Sequence, residues 1–250
     1  MYLTRTFINP RRQGAVRYLG SPQLVHASVL QAFPRTPPTD AAAGPRVLWR
    51  LDTDDWRRPV LWMVSPDKPD LHHVVDPYGW PASDAPFESR EYAPLLDRIA
   101  EGHRYVFRAT VNPTKTQPGK LKEGLEDEGR RERGTVVPLV GADSQIGWFA
   151  DRARGWGFEL LRSSAPLPVT ALAGDGAEPE MAYAVETRDS RKLRFWRSAA
   201  KSRPVVIRTV TLEGLLRVTD PEAFRRTLTG GIGRAKAYGC GLVTLASAHR

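Results

Sequence analysis

Short runs of alternating apolar and polar residues, interrupted by helical stretches, occur in the same order twice along this chain, and that order restricts it to few architectures. Tyr2 to Ile8 reads as a strand, residues 9–14 as a polar turn, and Ser21-Pro22 as the cap and first turn of a helix over Leu24 to Phe33, ended before Pro34. Arg46 to Leu51 and Pro59 to Val64 read as strands joined by the acidic turn Asp52-Thr53-Asp54-Asp55. Leu71 to Val75 reads as a further short strand, and residues 76–92, rich in Pro, Asp and Ser, as loop with at most a short helix.

The second half begins afresh. Arg104 to Val111 alternates as a strand, Lys115 to Gly134 is a long polar loop, and Asp143 to Arg154 is a helix stopped by Gly155 with Ile146, Phe149 and Ala150 inward. Gly157 to Leu161 and Met181 to Glu186 read as strands, and Val205 to Leu212, running into Leu215 to Val218, as a longer one. Asp220-Pro221 opens a last helix, and Leu242 to Leu245 closes the chain as a strand. Each half thus follows β-α-β-β-(α)-β, which buries its apolar faces as a small four-stranded sheet with helices on one side. The fold class is α+β, with a division expected between residues 90 and 100 that gives units of 1–95 and 96–250.

No run of about 18 uncharged apolar residues occurs and the N-terminus lacks a signal-peptide layout, so a soluble cytoplasmic protein is expected. Cys240 is the single cysteine, and the five histidines, at 26, 72, 73, 103 and 249, are scattered. That pattern lacks zinc-site spacing, so no metal or cofactor is expected. The net charge is +9, and its distribution is uneven: residues 1–100 carry a net +1 and residues 101–250 a net +8. A polyanionic partner held mainly by the second half follows, with binding that weakens as salt rises.

Three features carry candidate chemistry. The segment 230–241 combines five glycines with Arg234 and Lys236, so its backbone at Gly231 and Gly233 can approach a ligand while the cations hold phosphates. It has neither Walker order nor the placement of a dinucleotide fingerprint, and a sterically required helix-to-strand connection explains the glycines equally well. The stretch Arg188 to Arg208 holds eight basic residues and one acidic one. Arg191, Lys192, Arg194, Arg197, Lys201 and Arg203 would form a basic hairpin suited to phosphates at a duplex groove or stem base, or simply a charged edge guarded against aggregation. His26, on the first helix, stands near the border of an apolar face, where a lone histidine is more often a packing residue than a catalyst.

The N-terminal Tyr2-Leu3-Thr4-Arg5, the early His26, Arg108-Ala109-Thr110-Val111-Asn112-Pro113-Thr114-Lys115 and the terminal run from Gly231 to Leu242 together resemble the CasE family. These are the CRISPR-associated endoribonucleases of the type I-E Cascade complex. The resemblance implies two ferredoxin-like, RRM-related domains, and His26 matches the family's catalytic histidine. Arg234 and Lys236 match its basic RNA-contact positions, and the segment from Lys115 its variable loop. It further implies metal-independent cutting at the 3′ base of the CRISPR repeat hairpin RNA and retention of the guide RNA beside other Cascade subunits. No membrane is involved, and target DNA is met only through the assembled complex.

One position departs from the pattern. Some relatives carry a tyrosine three residues before this histidine, whereas this chain has Gln23, which cannot exchange a proton near neutral pH. Gln23 and Arg17 are candidate helpers, with Arg197 and Lys201 as further charge stabilisers. The alternative reading is a hairpin-RNA-binding scaffold subunit that does not cut; a DNA-binding protein is disfavoured by the lack of a helix-turn-helix or zinc-finger signature.

Overall fold

The computed structural model describes residues 1–34, 46–118, 134–163, 182–196 and 204–248. Strand β1 (Tyr2–Phe7) is followed by a short helix α1 (Ala15–Leu19) and then α2 (Pro22–Gln31), whose N-cap Ser21 accepts a hydrogen bond from the Leu24 N–H. Next come β2 (Leu48–Asp52), β3 (Val60–Ser65), α3 (His72–Tyr78) and β4 (Phe87–Glu91). These four strands form one antiparallel sheet in the order β2-β3-β1-β4. Ile8, Leu61 and Met63 pack with Tyr18, Val25, Val29 and Val74 of the helices, so α1 to α3 cover one face.

Two expectations for this half are corrected. Leu71 to Val75 begins a helix rather than a strand. Leu71, Val74 and Val75 are all buried, a 3.6-residue spacing, and Asp70 accepts the His72 N–H at 3.0 Å to start the turn. The fourth strand lies instead at 87–91, within the expected loop. Its residues are half-exposed and polar, and its pairing with β1, reinforced by Arg5 on Glu88 at 3.0 and 3.1 Å, holds it as a strand.

A short helix α4 (Ala93–Asp97) leads to β5 (Arg104–Val111), as expected. The chain then makes a small two-stranded sheet from β6 (Thr114–Gln117) and β7 (Thr135–Pro138), while most of the expected polar loop lies outside the described residues. Helix α5 (Ala142–Ala153) buries Gln145, Trp148, Phe149 and Ala153, with Ile146 and Ala150 only partly buried against the core. It tightens into a 3-10 turn at Arg154–Trp156 and ends at Gly157, not Gly155, because Gly157 takes the left-handed conformation (φ 86°) that stops the turn.

Strands β8 (Phe158–Leu160), β9 (Val185–Phe195) and β10 (Val205–Val218) follow, then α6 (Pro221–Gly230), capped by Asp220, and β11 (Val243–Ser247). The second antiparallel sheet has the order β11-β5-β10-β8, with β9 also paired to β10 as a long hairpin. In the first sheet β1 lies between β3 and β4 with β2 outside β3, and in the second β5 lies between β10 and β11 with β8 outside β10. This is the ferredoxin-like permutation, present twice. Among the described residues, no helix is long and apolar enough to cross a membrane.

Edge strand β2 joins the sheets. Leu48 packs against Gly231, beyond α6, and Trp49 against Gly239. Arg50, 1% exposed, pairs with Asp52 at 2.7 and 2.9 Å and donates to the Arg108 carbonyl at 2.7 Å, the Leu242 carbonyl at 3.3 Å and Thr244 Oγ1 at 2.9 Å. A guanidinium withdrawn from water is stable only when its donors are met in this way. Arg50→Ala would leave Asp52 with only the more distant Arg108 at 3.8 Å and remove the guanidinium from the Arg108 and Leu242 carbonyls, and chemical denaturation should show a loss of about 3–5 kcal/mol. A loss below about 1 kcal/mol would mean that the sheets do not depend on this contact.

Candidate active site

Helix α2 presents His26 one turn from its N-terminus, and the cap at Ser21 fixes where that turn begins. The chain after α6 returns past it as the glycine-rich loop, in which Gly231, Gly233, Ala235, Gly239 and Gly241 all have positive φ. At Gly239 (φ 81°) a Cβ would lie 2.8 Å from the Trp49 ring, so the loop lies against β2 closely enough that only glycine fits. The steric and the binding readings of these glycines therefore apply together.

The result is a cavity of about 350 Å³ whose walls include His26 and Leu30 of α2, Arg46, Val47 and Trp49 at β2, and Gly233 to Ala237 of the loop. Three cations, Arg46, Arg234 and Lys236, share it with His26, and among the described residues no carboxylate lines it. Lys236 Nζ donates to the Gly233 carbonyl at 3.0 Å, which folds the side chain over its own loop. Burial, followed by the charge of Arg46, lowers the Lys236 pKa, so this site already carries positive charge that an anion would relieve.

His26 is half-buried, and burial alone pushes its pKa below the ordinary histidine value. The other described histidines are elsewhere: His72 Nδ1 lies 2.6 Å from Asp70, His73 Nε2 is 2.8 Å from the Ser28 carbonyl, and His103 is near Tyr105. His249 lies outside the described residues. Among the described residues, no group of three or more His, Cys, Asp or Glu is arranged to hold a metal ion.

The basic hairpin divides its charges between two faces, as strand alternation requires. Lys192 and Arg194 are exposed on one face of β9, with the Arg194 guanidinium 5.6 Å from the centre of the Trp196 ring. Arg191 points the other way, pairing with Asp189 at 2.7 Å and reaching Thr53. There it lines a second, smaller cavity of about 100 Å³ with Leu193, Trp49 and Tyr238. Trp49 forms part of both cavities, so the base of the hairpin and the His26 cavity are neighbours. Arg197, Lys201 and Arg203 lie outside the described residues.

Neither expected helper lines the His26 cavity. Gln23 is one turn before His26 on α2, and Arg17 is exposed in the last turn of α1. The structure adds two residues that the sequence reading did not single out. Arg46 precedes β2 with no local signal. Tyr238 lay within the recognised glycine-rich run but was not assigned a role, and its ring centre is 6.3 Å from that of His26.

A titration tests the burial of His26. Followed by proton NMR, its ring should have a midpoint below about 6.5. Unfolding restores the ordinary value, so as pH falls through about 6.5 the unfolded chain takes up a proton that the folded chain resists, and stability drops. A midpoint at or above 6.5 would show a solvated imidazole.

A family model described as CRISPR associated protein matches residues 1–247. The CRISPR-associated endoribonuclease Cse3 of Thermus thermophilus is 27% identical over 247 residues, covering 98% of this chain and 100% of that protein. The CRISPR system Cascade subunit CasE of Escherichia coli is 27% identical over 203 residues, covering 74% of this chain and 88% of the relative. The solved structure of Thermus thermophilus Cse3 bound to an RNA representing a pre-cleavage complex shares the fold, with a TM-score of 0.68 at 24% identity over 98% of both chains. With the sequence match running from the first residue almost to the last, the chain belongs to the CRISPR-associated protein family.

Proposed function

We propose that this protein is an endoribonuclease that cuts CRISPR precursor RNA at the 3′ base of the repeat hairpin, without a metal, and keeps the mature guide RNA as a Cascade subunit. The observation that carries the reading is the convergence of His26, Arg46, Arg234 and Lys236 on one cavity, from segments some 200 residues apart. The names of the two relatives, an endoribonuclease and a Cascade subunit, support the same activity and partners. In this reading the N-terminal unit, residues 1–95, carries the catalytic histidine and the C-terminal unit, residues 96–250, most of the RNA contacts, and the protein works in the cytoplasm.

RNA supplies its own nucleophile. The ribose 2′-oxygen attacks the adjacent phosphorus as its proton passes to His26, the bond from phosphorus to the 5′-oxygen breaks, and the departing oxygen takes a proton from water, so the products end in a 2′,3′-cyclic phosphate and a 5′-hydroxyl. The lowered pKa keeps His26 neutral at neutral pH, the form that accepts the proton of the 2′-hydroxyl. Arg234 and Lys236 face the charge that grows on the phosphate, and the half-buried cavity strengthens their effect. The hairpin charges Arg191, Lys192 and Arg194 hold the stem, and because those contacts survive the cut, product leaves slowly.

Replacing the ribose just upstream of the cut with deoxyribose should abolish cleavage in EDTA while leaving binding within about twofold, since phosphate contacts dominate affinity. Cleavage of the deoxy substrate, or dependence on added metal, would contradict the mechanism.

A further inference from the structure

Tyr238 sits in the 3-10 turn Lys236–Tyr238 of the glycine-rich loop, held by left-handed residues at both ends: Ala235 (φ 62°) and Gly239 (φ 81°). Its ring centre is 4.6 Å from that of Phe195, the buried last residue of β9, at an interplanar angle of 60°. Its ring centre is also 6.3 Å from that of His26, at an interplanar angle of 63°. The phenol ring therefore neighbours both the last residue of β9 and the imidazole. Tyr238 lines the second cavity beside Trp49, and it is the residue of the loop whose ring neighbours that of His26.

Resting on the reading of His26 as the cutting residue, we propose that Tyr238 is its positioning residue, coupling the seating of the RNA-bound hairpin, through Phe195, to the orientation of the imidazole. In this proposal the ring carries the coupling, through its contacts with the rings of Phe195 and His26. The coupling is physically reasonable because a displacement of about 1 Å at a reacting group can cost of order 100-fold in rate. Lying 6.3 Å from the imidazole, the ring also contributes to its burial. Among the described residues, the titratable groups near that histidine are Arg46 before β2 and Arg234, Lys236 and Tyr238 of the loop.

Single-turnover cleavage of an end-labelled repeat hairpin in EDTA, across pH 5 to 9, tests this with Tyr238→Ala, Tyr238→Leu, Tyr238→Phe and His26→Ala. Tyr238→Ala and Tyr238→Leu should each slow cleavage by about tenfold or more, with the hairpin Kd within about twofold of wild type. In Tyr238→Ala, water reaches His26 and the histidine-dependent limb of the profile moves to higher pH. Tyr238→Phe should restore both rate and limb. Tyr238→Leu, which keeps apolar volume in the loop, guards against a folding failure of the alanine variant. Wild-type rates in the alanine and leucine variants, losses accounted for entirely by weaker binding, or a phenylalanine variant as slow as alanine would each overturn the proposal. If His26→Ala cuts like wild type, the reading beneath it fails instead.

Discussion

Strand β2 lies at the edge of the first sheet, and three successive side chains turn that edge into the seam of the molecule. Alternation sends Leu48 and Arg50 toward the second sheet and Trp49 toward the helices. Leu48 seats the end of α6, Trp49 seats the glycine-rich loop, and Arg50 binds the backbone of β5 and the approach to β11. An exposed edge strand invites unwanted pairing, and here the second half of the chain covers it. The same contacts bring the loop of residues 231–241 against the helix that carries His26.

Placement of that seam decides the electrostatics of the site. A half-buried imidazole among three cations is poorly placed to hold a proton of its own and well placed to receive an anion. A phosphate entering the cavity would relieve the repulsion between Arg46 and Lys236, so substrate binding and neutralisation of the site are one event. Two acidic groups near the seam, Asp52 and Asp54, are engaged with Arg50 and Arg108.

Much of the fold was legible where local chemistry dictates structure. Ser21-Pro22 and Asp220-Pro221 marked helix starts that the structure confirms, and alternation located β5 and β10. The misreadings fall where tertiary pairing decides. Val74 and Val75 are β-branched and Pro77 interrupts the helical pattern, so α3 looked like a strand, while the polar Phe-Glu-Ser-Arg-Glu of β4 becomes a strand only against β1. His26 and the glycine-rich loop were each visible as candidates, but their adjacency is a property of the seam and of no local pattern. Arg46 and the contact of Tyr238 with His26 were hidden for the same reason.

The proposed cutting of RNA in this cavity turns on His26. Its most direct test is cleavage of an end-labelled CRISPR repeat hairpin by wild type and His26→Ala, at enzyme excess in EDTA, with hairpin affinity measured alongside. One cut at the base of the stem, absent from the variant while affinity is retained, is the result this account requires. Equal cutting by the two proteins would remove His26 from the chemistry, and tight binding without cutting by either would make the protein a scaffold instead of an enzyme.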